Sequence, residues 1–353
     1  MSFTIAVGML SNLATVSTSA AAVAPPVLPS PVIARLDWAA AETIVRQCNG
    51  SDNFPITWAE DDCLYVTYGD GWGFEPKLKE KLGLGFARIE GLPPNHRGSN
   101  IRSTGENVGS GRRGKKGSGL LMVDGVLYLW LFHADERGGQ AQLAWSRDHA
   151  QTWTFADWKF AEFGLCTFVN FGRNYAGARD EYVYTVSHDG PRADTPADRF
   201  ILMRVPKDRV GDRAAYEFFV QLDAEGNPVW SANLSNRGGV FTSPGRCLRS
   251  GISYNPALKR YFWWQQVPNL ANPGDQGDTR FGGGFGIYDA PEPWGPWTTA
   301  YQTEQWDVGP GERAEFPPKW MSADGLTMWL TFSGEDCFSV RKATVVLRQQ
   351  SGP

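Results

Sequence analysis

The sequence is poor in the residue types that mark several common function classes. It has four histidines and five cysteines, and no two cysteines form a Cys-x-x-Cys pair, so its spacings match neither a zinc site nor a thioredoxin-type redox motif. Beyond the N-terminal segment, no stretch approaches the roughly 18 consecutive apolar residues that a membrane helix needs. The 34 basic and 38 acidic residues leave a net charge of -4, which gives no global attraction to nucleic acid or anionic membranes. Helix-favouring runs of Ala, Leu, Glu and Lys are scarce. These shortages imply a protein with no membrane span, no nucleic-acid partner and no cofactor or metal, whose charged interactions are local. Cys48, Cys63, Cys166, Cys247 and Cys337 are expected as buried, inert thiols, the alternative being a Cys48–Cys63 bridge.

What the chain has in quantity is turn residues and aromatics: 40 Gly, 23 Pro, 15 Trp, 20 Phe and 11 Tyr in 353 residues. This composition describes many short strands joined by turns around aromatic cores. The first 30 residues differ from the rest, being small, apolar and hydroxyl-rich, then Pro-rich. They read as a secretory signal and tether with Ala22-Val23-Ala24 as cleavage site, although no Lys or Arg precedes the apolar part. The expectation is a secreted or periplasmic monomer, with residues 31–353 as one domain.

Five segments echo one another: residues 56–70, 119–133, 175–189, 251–265 and 319–333. Each combines a short strand, a turn of Asp, Gly, Asn or Pro, and a strand heavy in Tyr, Trp, Val and Leu. A unit this small cannot bury both faces of its own sheet, and radial packing of such units gives a propeller, here all-β and five-bladed. Residues 143–153 fit the Asp-box turn of sialidase-like propellers with Ala150 in place of Gly, and Pro293-Trp-Gly-Pro-Trp297 matches an outer-strand ending of glycosidase propellers. Residues 91–118 form a Gly-rich basic stretch expected as a mobile rim loop; they lack the strand, Lys-Ser/Thr pair and helix of a phosphate loop. In the polar stretch 268–284, Asp275 and Asp278 are more simply read as solvated than as calcium ligands.

Asp52 and Asp70 lie nine residues on either side of Asp61, the centre of the first turn. In a hairpin without a bulge they face each other at its open end. The same arithmetic pairs Lys116 with His133 and Arg249 with Gln265, and the third hairpin brings Arg173, His188 and Asp189. All are expected at one mouth of the channel, with Trp72 and Phe74 as a surface for a sugar ring. Two close carboxylates among aromatics are the requirement of glycoside hydrolysis, and a separation near 5 Å corresponds to the retaining mechanism. By its setting, Asp52 near Lys116 is expected as nucleophile and Asp70 near Trp72 and Phe74 as acid/base.

From about residue 45 to 347 the chain resembles the five-bladed glycosidase propellers that include bacterial endo-D-arabinanases. The resemblance is carried by Ser51-Asp52 before the first strand and Tyr68-Gly69-Asp70-Gly71 after the second. It implies a carbohydrate substrate, arabinan-like or acidic, with Asp52 and Asp70 as the catalytic aspartates. Ser51 and Gly71 stand where that family has threonines. Two alternatives remain open from the residues alone. One is a lyase on a uronate-containing glycan, with Lys116 and Arg249 neutralising the carboxylate and His133 or His188 as base. The other is a non-catalytic glycan-binding propeller.

Overall fold

The computed structural model describes Met1, residues 24–268 and residues 282–349. The polar loop with Asp275 and Asp278 and most of the signal-like segment lie outside the described residues. Within them the chain is all-β, with only short 3-10 turns between strands.

The strands form antiparallel groups whose innermost members are Ile56–Trp58, Lys116–Val123, Cys166–Asn170, Ser250–Asn255 and Ala314–Glu315. Each inner strand touches the next. Met122 N–H donates to Thr57 Oγ1 at 3.0 Å, Thr167 Oγ1 donates to Ser118 O at 2.6 Å, and Val169 and Asn170 pair in parallel with Ile252 and Ser253. Arg313 donates to Ser250 O at 2.8 Å. Ile56 N–H donates to Glu315 Oε1 at 2.8 Å, which returns the fifth strand to the first. This ring of sheets fits a β-propeller. It is closed at the outside by Ile33–Trp38, which pairs along Phe338–Leu347 and so adds an N-terminal strand to the last group.

Sheets arranged this way bury both faces, which explains strands with no polar alternation. Val126–Phe132 is buried throughout. Trp263 and Trp264 point to opposite faces and both are core: Trp263 packs with Phe200 and Trp297, Trp264 with Phe285. Each side chain of this size contributes about 1.5–3 kcal/mol by leaving water.

The second strands of all five expected hairpins are present, but two first strands lie elsewhere. In the third group the inner strand is Cys166–Asn170, so residues 171–181 are the turn. In the fifth it is Ala314–Glu315, because Pro317 and Pro318 end the strand and start a short 3-10 turn. The Asp-box closes as a turn: Ser146 Oγ accepts from Ala150 N–H at 2.9 Å and Asp148 from Thr152 N–H at 2.8 Å, with Ala150 at φ 69. Residues 91–118 are not a structureless rim loop. They carry Arg97–Ile101, Asn107–Val108 and the start of an inner strand. At the N-terminal side, Ser30 N–H donates to Thr299 O and Thr299 N–H to Leu28 O, so this part of the expected tether lies along the fourth group. All five cysteines are buried and unbridged; burial pushes the Cys48 thiol up to about 12.

Candidate active site

The first hairpin keeps the expected register from Trp58↔Leu64 to Ile56↔Val66, centred on Asp61. Beyond Pro55 it slips. Asn53 adopts φ 50, and pairing resumes one residue out of step as Asp52↔Gly69, each N–H donating to the other's carbonyl at 2.8 and 2.7 Å. Asp70 therefore stands one place beyond Asp52 instead of opposite it. The second hairpin slips likewise: a shift between Gly117 and Gly119 sets Lys116 opposite Phe132, leaving His133 one place further on. In the fourth, Ser250 faces Gln265, and Arg249 O accepts from Gln266 N–H at 2.9 Å. Bulges of this kind re-aim side chains at strand ends.

The two carboxylates nonetheless meet, through a cation. Lys116 Nζ lies 2.5 Å from Asp70 Oδ2 and 3.9 Å from Asp52 Oδ1. Asp70 Oδ2 also accepts Gly111 N–H at 2.9 Å, while Asp52 Oδ1 accepts Asn53 Nδ2 at 2.9 Å. Gly69 makes the approach feasible, since a Cβ there would lie 2.7 Å from Asp52 Oδ1 and 3.4 Å from Lys116 Cδ. Asp52 is 5% exposed. Burial, reinforced by the Glu312 carboxylate, raises its pKa to about 7 against the pull of Lys116.

Around this pair the structure adds residues that the sequence reading missed. Asn53 Nδ2 also donates to Glu312 at 2.5 Å. Arg249 Nη1 donates to Asn53 Oδ1 at 2.9 Å and to Glu312 Oε2 at 3.1 Å, and its Nη2 to Asp194 Oδ1 at 3.2 Å. Asp194 also faces His133 Nε2 at 3.5 Å and Arg112 Nε at 3.2 Å. Burial disfavours its charge, but the hydrogen bond from His133 and the Arg249 and Arg112 charges outweigh that and hold its carboxyl well below the usual range. Glu312 was discoverable, because it precedes the fifth inner strand much as Asp52 precedes the first. Asp194, in the loop after the third hairpin, leaves no comparable signal.

Of the residues expected at the mouth, Asp52, Asp70, Lys116, His133 and Arg249 are brought together. Arg173 is not: it lies in the 171–181 turn, exposed, and donates to Glu60 O in the closed turn of the first hairpin, at the other end. Gln265 lines a separate small cavity with Ser243, Arg246 and Gln266, and Gln266 also donates to Gly311 O at 3.3 Å. Asp189 is held by Arg199 at 2.7 Å and Arg237 at 2.8 Å on a neighbouring rim. His188 is fully buried with Nε2 2.8 Å from Arg192 O, and burial lowers its pKa to about 4. His133 is likewise engaged, with Nδ1 3.3 Å from Gly111 O. Both histidine side chains are almost fully buried. Phe74 is core against Phe338, and Trp72 has Lys81 over its ring at 5.2 Å. The carboxylate whose pKa is raised, through burial and Glu312, is Asp52. Among the described residues, no group of three or more His, Cys, Asp or Glu is arranged to hold a metal ion, and no helix is long and apolar enough to cross a membrane.

No family model and no curated protein matches the chain. Many solved structures resemble it at low identity, and three illustrate the likeness. The GH43_1 enzyme from Xanthomonas citri shares 12% identity over 89% of this chain and 93% of its own, with a TM-score of 0.47. RS223-β-xylosidase shares 11% over 86% and 94%, with a TM-score of 0.46. The exo-β-1,3-galactanase from Phanerochaete chrysosporium shares 9% over 85% and 60%, with a TM-score of 0.46. The side chains of the site, and not these likenesses, carry the functional reading.

Proposed function

We propose that the protein is a glycoside hydrolase, its strand groups the five blades of a propeller, acting on a carbohydrate at the open end of the inner hairpins with Asp52 and Asp70 as its catalytic pair. The observation that carries this reading is the shared lysine: two carboxylates from one hairpin within 2.5 and 3.9 Å of the same ammonium, one of them buried and inclined to keep its proton. Such a pair has the parts for glycosidic cleavage, an acid to protonate the leaving oxygen and a carboxylate to attack or to activate water. Asp52 serves as the acid. Asp70, more open and held by Lys116 and Gly111 N–H, serves as the nucleophile or base. The shared ammonium keeps the two carboxylates near enough to act as a unit, and a retaining course is part of the proposal. Export is part of the proposal, resting on the N-terminal sequence alone.

The test is a glycan panel, neutral and acidic, scored for new reducing ends and for the ultraviolet absorbance of unsaturated uronates. Asp52→Asn and Asp70→Asn should each lose on the order of 10²–10⁴-fold in turnover while keeping the wild-type circular dichroism. Full activity in both variants would sink the hydrolase reading, and ultraviolet-absorbing products would replace it with elimination.

A further inference from the structure

A groove of about 550 Å³ runs along residues 189–199, the loop that carries Asp194, and is lined by Asp189, Arg192, Thr195 and Arg199 among others. That volume suits a small polar ligand or one to two sugar units. Its rim gathers positive charge. A Cβ on Gly138 would lie 3.2 Å from Arg192 Nη2 and 3.3 Å from Arg112 Cδ, so two arginines flank one glycine. Arg192 donates to a neutral acceptor, Arg137 O, at 3.2 Å. Arg112 shares Asp194 with Arg249 and His133. The acids of the groove are themselves engaged: Asp189 by Arg199 and Arg237, and Asp198 by Gly245 N–H at 2.9 Å. In a chain of net charge -4, two arginine side chains converging on one glycine offer an anion a local concentration of positive charge. The loop that walls the groove is tied to the reacting pair, since its Asp194 meets Arg249, Arg249 meets Asn53, and Asn53 meets Asp52.

We propose that this groove is a subsite for an anionic sugar unit of the glycan, carrying a carboxylate or a sulfate ester, with Arg192 and Arg112 as its charge contacts. The inference rests on the glycosidase reading and narrows its substrate class. Guanidinium groups grip either anion through paired N–H donors, and the test separates the two sources.

Binding is measured on the Asp52→Asn protein, so that cleavage does not intervene, with four probes: polygalacturonate, its fully methyl-esterified form, dextran sulfate and dextran. The acidic member of at least one pair should bind tenfold or more tightly than its neutral counterpart, and the advantage should shrink with added salt. A preference confined to polygalacturonate assigns a uronate; one confined to dextran sulfate assigns a sulfate ester. Adding Arg192→Gln should weaken acidic binding roughly tenfold, as loss of one charge-assisted contact does. Arg192→Lys should restore part of it, and Arg35→Gln, on a remote exposed pair with Asp37, should change nothing. Equal affinity within both pairs, or an Arg192→Gln effect no larger than that of Arg35→Gln, overturns the subsite. The two readings fail separately. Acidic binding with no products from any glycan in the wild type removes hydrolysis and leaves the subsite; cleavage of neutral glycans with no acidic preference does the reverse.

Discussion

Asp52 sits between opposing influences that single substitutions can separate. Glu312 raises its pKa and Lys116 lowers it. Glu312→Gln removes the like charge, so the alkaline limb of the pH–kcat profile, set by loss of the Asp52 proton near pH 7, should move to lower pH. Lys116→Met removes the opposite charge and should move that limb to higher pH while lowering kcat, since Asp70 loses its ammonium partner. Shifts of the same sign in both variants would mean that Asp52 is not the group being titrated. Stability carries a related signature. The folded protein retains a proton on Asp52 that the unfolded chain has lost above about pH 4. Unfolding therefore releases that proton, and stability should fall as pH rises from about 4 to about 7, then level off. Thermal melts across this window should show a weaker decline in Asp52→Asn. One of the two departures from the glycosidase pattern has a steric reason here: a Cβ on residue 71 would fall 1.8 Å from Ser51 Oγ and 2.6 Å from Ser51 Cα, so a threonine does not fit at position 71.

At the scale of the hairpin, what places the site is a register slip of one residue. Gly69 is the position where this is most exposed to test. In Gly69→Ala the new methyl must displace the Asp52 carboxylate, 2.7 Å away, with a stability loss of about 1–3 kcal/mol. Because the displaced group is proposed to react, kcat should fall by more than KM changes; an alanine variant with wild-type kcat would show that the close approach is immaterial. The same slip explains what was legible in the sequence. The second strands are aromatic, apolar and buried on both faces, so they stand out. The turn at Asp61 sets a register that holds for its first pairs. Arithmetic from the turn then passes through Asn53 at φ 50, a backbone kink that no residue pattern announces, and misplaces Asp70 by one position. The first strands of the third and fifth groups are short and lie before long turns, which hid Cys166–Asn170 and Ala314–Glu315 and moved Arg173 to the wrong end. Asp194 was illegible because its place depends on a loop folding back to Arg249 and His133.

At the scale of the whole ring, the inner strands need something to fill the axis below the site, and Arg313 with Glu315 does so. Arg313 is 4% exposed and donates to Ser118 O, Thr167 Oγ1 and Ser250 O, on the second, third and fourth inner strands. Its Nη2 lies 3.2 Å from Glu315 Oε2, and Glu315 Oε1 accepts Ile56 N–H on the first. One buried pair therefore ties all five inner strands. Burial lowers the Arg313 pKa and raises that of Glu315, so each charge is tolerated chiefly because the other is present. Breaking such a pair from one side leaves a buried charge alone and costs about 3–5 kcal/mol, whereas replacing both with apolar groups of similar size is often nearly neutral. Here the carbonyls that Arg313 satisfies would also lose their donor, which makes full recovery too much to expect. Arg313→Met and Glu315→Leu should each be strongly destabilised in urea melts, and the double variant should lose less than the two losses combined, with a coupling of at least about 1 kcal/mol. Strictly additive losses would mean that the two charges act independently and that the ring is held by its aromatic interfaces alone.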